Sequence, residues 1–360
     1  MLFNVSKAAV AALLLLSGAS AAPKKPCSGN GPKPPRCPKS LDVADDVHCM
    51  AKINGNRLEV KVEGAQDGPT ILVAPSTFGH SYWYMQQALK PYYDDMRFIY
   101  WDARGSGPFS SKPKNPIKTM STAAMSEDIE GIRRLFGLDK VNLFSHCQGA
   151  TSALIYAGKH ADKVDNLYLA ETLVFDGVSS DDLTEYQGKV VQELMEHNPD
   201  IDYMPSLELI PVMADPDDPK FPKTNKAAWE AFKTISKVYF WNADKHQDFV
   251  NDMEAKNAPP FSAFALEWNT RADAKNPTLL GPLLEDIKAK VHLLQGEIDG
   301  AAPKPMFDLL VDSLNVTGDN AVLVPEAGHI IWHDAPEAFD DTLSGWFDQL
   351  LEDNGDECDA

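Results

Sequence analysis

One cysteine in the middle of the chain, Cys147, sits where a side chain could act as a nucleophile. The apolar run Val141-Asn142-Leu143-Phe144 leads into Ser145-His146-Cys147-Gln148-Gly149-Ala150. A buried strand therefore runs into a small residue, a thiol follows two places on, a glycine two places further, and a helix begins. Small residues flank such a turn because strained backbone at the nucleophile brings its neighbours close. A lone cysteine is ordinarily inert packing. At the amino end of a helix, however, a thiol meets unpaired N–H groups and a partial positive charge, which favour thiolate. The chemistry open to it is covalent attack on an electrophilic carbon. That requires a histidine to take and return the thiol proton, and a carboxylate to orient the imidazole.

The elements that position this turn follow from hydrophobic periodicity. Segments 48–53 and 58–62 flank a turn at Asn54-Gly55-Asn56 and read as a hairpin. Segments 70–74 and 97–101 are apolar, too short for helices and bounded by turn residues, as buried strands are, and 82–93 between them reads as a helix. Segment 126–138 places Ile129, Ile132, Leu135 and Phe136 on one helical face before the strand 141–144. A helix from 148 to about 160 and a strand at 166–170 follow. The alternation resumes with strand 291–295, helix 304–314, strand 321–324 and helix 336–351. It predicts an α/β fold, a mostly parallel central sheet with helices on both faces, built from residues 45–174 and 282–352. Residues 175–281 show helical spacing instead: Trp229, Phe232, Ile235 and Tyr239 recur at threes and fours, as do Phe249 and Met253. They predict a helical cap whose rings pack its own core or line a ligand cavity.

The chain carries 53 acidic against 33 basic residues, a net charge of −20, and 44% apolar residues. This excludes collagen, coiled coil and wholesale disorder. It also argues against nucleic acid and anionic membranes, which are bound through basic side chains. Residues 1–21 read as a secretory signal, with Lys7 before a short apolar stretch and Ala19-Ser20-Ala21 for cleavage. That stretch is too short to span a bilayer. Six prolines between 22 and 40 predict an extended arm reaching to 44, and 353–360 form an acidic tail. An oxidising compartment pairs thiols. Cys27, Cys37, Cys49 and Cys358 allow three connectivities, of which Cys27 with Cys37 and Cys49 with Cys358 is the expected one, leaving Cys147 free. Asn315-Val316-Thr317 is a candidate glycosylation site.

The turn around Cys147 resembles the nucleophile elbow of the α/β-hydrolase fold family, with Ser145 in place of the first glycine and Cys147 in place of the usual serine. Gly296-Glu297-Ile298-Asp299 resembles the loop that carries the family's triad acid, and Ala327-Gly328-His329 the loop that carries its histidine. The resemblance implies a triad of Cys147, Asp299 and His329, with Glu171 at the end of the preceding strand as the alternative acid. Trp101-Asp102-Ala103-Arg104-Gly105-Ser106-Gly107 looks like the Asp-x-Arg-Gly-x-Gly turn of members near prolyl aminopeptidases and epoxide hydrolases. The oxyanion hole would then combine the backbone N–H groups of Gln148 and Thr77. The loop Pro75-Ser76-Thr77-Phe78-Gly79 lacks the family's His-Gly pair. Phe78, His80, His146, Trp229 and Trp268 are candidates to line the substrate pocket. No cofactor is implied. No metal is expected either: His333 follows His329 at a helical ligand spacing, but no third ligand accompanies them.

By this resemblance the protein is a secreted enzyme that hydrolyses an ester or lactone of an apolar small molecule through a thioester on Cys147. Three alternatives stay open. The same scaffold serves an acyltransferase or cyclase, in which a second substrate intercepts the thioester. It also serves prolyl-aminopeptidase-like peptidases, although their double-glycine pattern is missing here. The last is a non-catalytic ligand-binding protein, which would be expected to lose the acid or the histidine, yet both persist.

Overall fold

Apolar runs only a few residues long must be covered on both faces. Among the described residues eight strands assemble into one sheet: β1 (His48–Ile53), β2 (Asn56–Gly64), β3 (Thr70–Ala74), β4 (Arg97–Trp101), β5 (Val141–His146), β6 (Val164–Ala170), β7 (Lys290–Gly296) and β8 (Ala321–Val324). The structure is a computed structural model that describes residues 33–356 except 175, 256 and 257. The expected signal segment, Cys27, Cys358 and residues 357–360 lie outside the described residues. The spatial order is β1-β2-β4-β3-β5-β6-β7-β8. β2 pairs antiparallel with β1 and β4, and the remaining neighbours are parallel.

Successive side chains of a strand point to opposite faces, so the sheet serves two cores. Leu72, Ile99, Leu143, Leu167 and Leu293 pack with residues of helices Thr122–Leu135, Gln148–Lys159 and Lys304–Leu314. Ile71, Val73, Phe98, Phe144, Tyr168 and Leu294 pack on the other face, against helices Trp83–Leu89 and Pro336–Asp356. Between β6 and β7 the chain runs through an insert whose longer helices are Ser180–His197, Met204–Ala214, Asn225–Ile235, Ala243–Met253 and Ala263–Lys275. Four begin at a side-chain cap, Ser179, Thr224, Asn242 and Ser262, which supplies an acceptor to otherwise orphaned N–H groups. Phe221, Phe232, Phe240, Phe249 and Leu266 form the insert's core.

The cysteine pairing differs from expectation: Cys37 is bonded to Cys49, not to Cys27. The Cys37 N–H donates to the Met50 carbonyl and the Met50 N–H to the Pro35 carbonyl, so the arm runs beside β1. That ladder brings the two Cα atoms to 5.0 Å, within bridging range. Farther along, the buried Arg97 guanidinium donates to the carbonyls of Val43, Asp45 and Gly64, fixing the arm's exit onto the sheet. Cys147 is the free cysteine of the described residues.

The Asp102-x-Arg104 turn is held by burial. Arg104 makes a two-pronged contact with Asp128 at 2.7 Å. Asp102 accepts the Tyr82 N–H through Oδ1, and Oδ2 has no hydrogen-bond partner. Burial, reinforced by the charge of Glu59, raises the Asp102 carboxyl from 3.8 to about 7. A carboxyl raised on folding contributes stability that is fully present below its unfolded value and is lost as pH rises through its folded value. Relative to Asp102→Asn, the wild-type chain therefore loses up to roughly 4 kcal/mol between pH 4 and pH 7. Urea midpoints measured at pH 5 and pH 8 check this, because any constant effect of the amide cancels between the two. A difference independent of pH would contradict it.

Candidate active site

β5 ends at His146 and helix Gln148–Lys159 starts at once, which puts the intervening Cys147 at φ 58° and ψ −132°, a strained conformation for a residue with a side chain. The strain is locked in by its neighbours. The Cys147 N–H donates to the Ala170 carbonyl of β6 at 3.0 Å. Gly149 is required by crowding, since a Cβ there would lie 2.6 Å from Ser145 Oγ and 2.8 Å from the Pro75 carbonyl oxygen. Ser145 is tolerated where the resemblance has glycine because its hydroxyl donates to the Ala74 carbonyl of β3, 2.8 Å away.

Asp299 and His329, from the loops after β7 and β8, meet at 2.7 Å between Oδ2 and Nδ1, both side chains buried. Asp299 is held from all sides. Oδ1 accepts the N–H groups of Ala301 and Ala302, and Oδ2 also accepts from Gln295 Nε2. Burial alone would make His329 less basic. Asp299 and then Cys147 more than reverse this and hold the imidazole pKa well above its usual value. Ligand atoms of Cys147, His329 and His146 lie within 4.8 Å of one another. The arrangement thus brings together a thiol, a histidine that favours a proton, and a carboxylate behind it.

His146 plays a part that its sequence position did not announce. Its Nε2 lies 2.9 Å from the His329 carbonyl oxygen. A carbonyl only accepts, so Nε2 carries the hydrogen and Nδ1 is left to accept from the Tyr84 hydroxyl at 3.3 Å. Burial, with His329 nearby, keeps its pKa well below the usual value. Glu171, at φ 42° just past β6, is fully buried, with Oε2 3.5 Å from His146 Nε2. Burial pushes its carboxyl well above the usual range, against the opposing pull of His329. It has no hydrogen bond to His329, whose Nδ1 is engaged by Asp299.

The site opens into a cavity of about 480 Å³ between sheet and insert. Phe78, His80 and His146 line it, as do Met213, Phe232, Ile235, Tyr239 and Phe249 from the insert. His80 stands among the rings of Tyr84, Phe232 and Phe261, and burial lowers its pKa to about 3. Trp229 and Trp268 do not line the cavity, contrary to expectation. Trp229 lies one helical turn before Phe232, stacks on its outer side and donates to Glu254. Trp268 packs with Phe264 and Arg271 around Met120 instead. Gln148 lines the cavity at the first turn of its helix. The side chain of Thr77 turns away to donate to Asn269, while its neighbours Ser76 and Phe78 face the cavity. His333 is not joined to His329; it packs on Phe249, 3.7 Å from Asp252. Asn315 is exposed at a helix end with φ 52°.

Two residues that the sequence reading did not assign to the site hold the histidine loop. The Tyr239 carbonyl accepts the His329 N–H at 2.7 Å. Asp334 accepts from Gly328 and from Trp241 and Asn242 of the insert. Only the spacing of Tyr239 in the aromatic stripe hinted at a place near the site.

A family model described as alpha/beta hydrolase fold matches residues 69–336. Among solved structures, the chain is similar to a proline iminopeptidase-related protein from Thermus thermophilus, at 20% identity and a TM-score of 0.62 over 86% of this chain and 99% of that one. It is also similar to an esterase from Exiguobacterium antarcticum (18%, TM-score 0.58, 84% and 100% covered). An enol-lactonase from Burkholderia xenovorans is a third (19%, TM-score 0.53, 82% and 98% covered). At these identities the likeness is one of fold. No curated protein matches the sequence.

Proposed function

The chain belongs to the alpha/beta hydrolase fold family, and from that premise we propose that it is an acyl-transfer enzyme of the secretory pathway that hydrolyses esters or lactones of apolar small molecules through Cys147. The observation that carries the reading is the convergence of Cys147, His329 and Asp299 at the wall of a largely apolar cavity. Cys147 Sγ attacks the acyl carbon while His329 takes the thiol proton and passes it to the departing oxygen, leaving a thioester. Water, deprotonated by the same imidazole, then releases the acid. Asp299 orients and stabilises the imidazolium. The N–H groups of Gln148 and Thr77 receive the oxyanion.

Residues 175–281 act as the cap that selects the acyl group. The carboxylate lining the cavity is Asp273, whose oxygens already accept from Thr122 and Asn269. That leaves no ready counter-charge for the ammonium of a peptide, and so favours esters and lactones over peptide trimming. The Cys37–Cys49 bond suits an oxidising compartment, and no described helix is long and apolar enough to cross a membrane. Exposed Asn315 is accessible for glycosylation.

Incubation with a panel of aryl esters and lactones, followed by intact-mass measurement, should trap an acyl group on Cys147. An apolar cavity also favours transfer to amines or thiols, which attack thioesters readily. Acid as the sole product across varied acceptors supports hydrolysis, whereas dominant transfer product at millimolar acceptor makes the protein a transferase. No adduct and no product with any substrate would leave a ligand-binding protein.

A further inference from the structure

We propose that His146, Cys147 and His329 together form a binding site for Zn²⁺, which would hold the enzyme in a resting state by occupying its nucleophile and its base. The three side chains converge: each offers one ligand atom, and these atoms lie within 4.8 Å of one another. Around a tetrahedral zinc such donors stand roughly 3.5 Å apart, so closure asks for a shift of about an ångström. One thiolate and two imidazoles are a ligand set that suits zinc.

A second observation separates this cluster from an ordinary cysteine–histidine pair. Histidines that bind metals hold their other ring nitrogen against a carboxylate or carbonyl, which fixes ring and tautomer. Both histidines here are already held that way. His329 Nδ1 is on Asp299 at 2.7 Å, leaving Nε2. His146 Nε2 is on the His329 carbonyl at 2.9 Å, leaving Nδ1 with only the long 3.3 Å contact from Tyr84. Glu171, fully buried, stands 3.5 Å from His146 Nε2. Its carboxyl oxygen is placed to accept from that ring when a cation arrives. The cavity that reaches all three ligands supplies the access route and leaves the fourth coordination position for water or a carboxylate product. Binding forms one Zn–S and two Zn–N bonds and releases the proton shared by Cys147 and His329.

The inference rests on the proposed function only for its inhibitory consequence, so the test reads the ion directly. Co²⁺ added to the intact chain should bind one ion and give a near-ultraviolet thiolate-to-cobalt charge-transfer band with the intense visible bands of four-coordination, and Zn²⁺ should displace it. Cys147→Ser should abolish the charge-transfer band. His146→Gln should weaken Zn²⁺, measured against a chromophoric chelator, by about tenfold or more. His146→Asn replaces it if the glutamine variant melts early. Absence of the charge-transfer band, or wild-type Zn²⁺ affinity in both Cys147→Ser and His146→Gln, would overturn the site. A chain that is acylated on Cys147 but shows no band loses the cation site alone. A chain that shows the band but is never acylated loses the acyl-transfer reading alone.

Discussion

Cys147→Ala and His329→Ala each lower kcat on an activated ester by about 10⁴-fold or more, and the double variant is no worse than either single one. The non-additivity is the informative part. The thiol is a competent nucleophile only while His329 accepts its proton, and His329 has nothing to activate without the thiol, so removing either dismantles one unit. Both variants should stay folded; Cys147→Ala should keep the wild-type melting temperature, whereas His329→Ala, which leaves the buried Asp299 carboxylate without its partner, should melt lower. Cys147→Ala removes only Sγ, and the strained backbone at φ 58° is held by the Ala170 carbonyl and by packing at Gly149. Steady-state kinetics with thermal melts checks the claim. A Cys147→Ala protein retaining a tenth of its activity would move the nucleophile elsewhere.

Asp299→Asn lowers kcat by about 10² to 10⁴-fold, whereas Glu171→Gln stays within about tenfold of wild type. The difference follows from what each carboxyl touches. Asp299 contacts His329 Nδ1 at 2.7 Å and is the largest influence raising that imidazole's pKa against burial. With the charge removed, His329 gives up its proton at lower pH, so the acidic limb of kcat/KM, below which the base is protonated, moves down. Glu171 is pushed toward its neutral form by burial and makes no hydrogen bond to His329. An amide of the same shape therefore changes little at the reacting atoms. If Asp299→Asn were harmless and Glu171→Gln inactivating, the acid would be Glu171.

The fold was legible where burial on both faces leaves a continuous apolar run. The readings at 70–74, 97–101 and 321–324 coincide with β3, β4 and β8 because nothing polar follows their first residue until a turn does, and 48–53 coincides with β1 although its Lys52 faces solvent. The helix read over 82–93 is shorter, Trp83–Leu89, since Pro91 turns the chain into a tight helical turn at Lys90–Tyr92. Cysteine pairing was not legible, because it depends on a backbone ladder between arm and β1 that leaves no mark in residue type. The cavity lining was half legible. Spacing put Trp229 and Phe232 on one stripe, but only the phase of the helix against the sheet decides that Phe232 faces inward while Trp229 covers its back. The grip of His146 on the His329 carbonyl joins positions 183 apart in sequence. Local pattern carries no trace of it.

An open sheet ends in two strands with unpaired backbone groups, which invite pairing with another chain. Here one end, β8, is only four residues long. At the other end, β1 presents Met50, and the arm already occupies that rung: Pro35 and Cys37 take its N–H and its carbonyl. The bond from Cys37 to Cys49, next to that rung, keeps the arm in place. Oxidation thus closes the middle of the sheet's longer border, and a reducing environment would free the arm to lift away and offer that border to a second molecule. The same covalent link would thus also act against edge-to-edge pairing of the sheet.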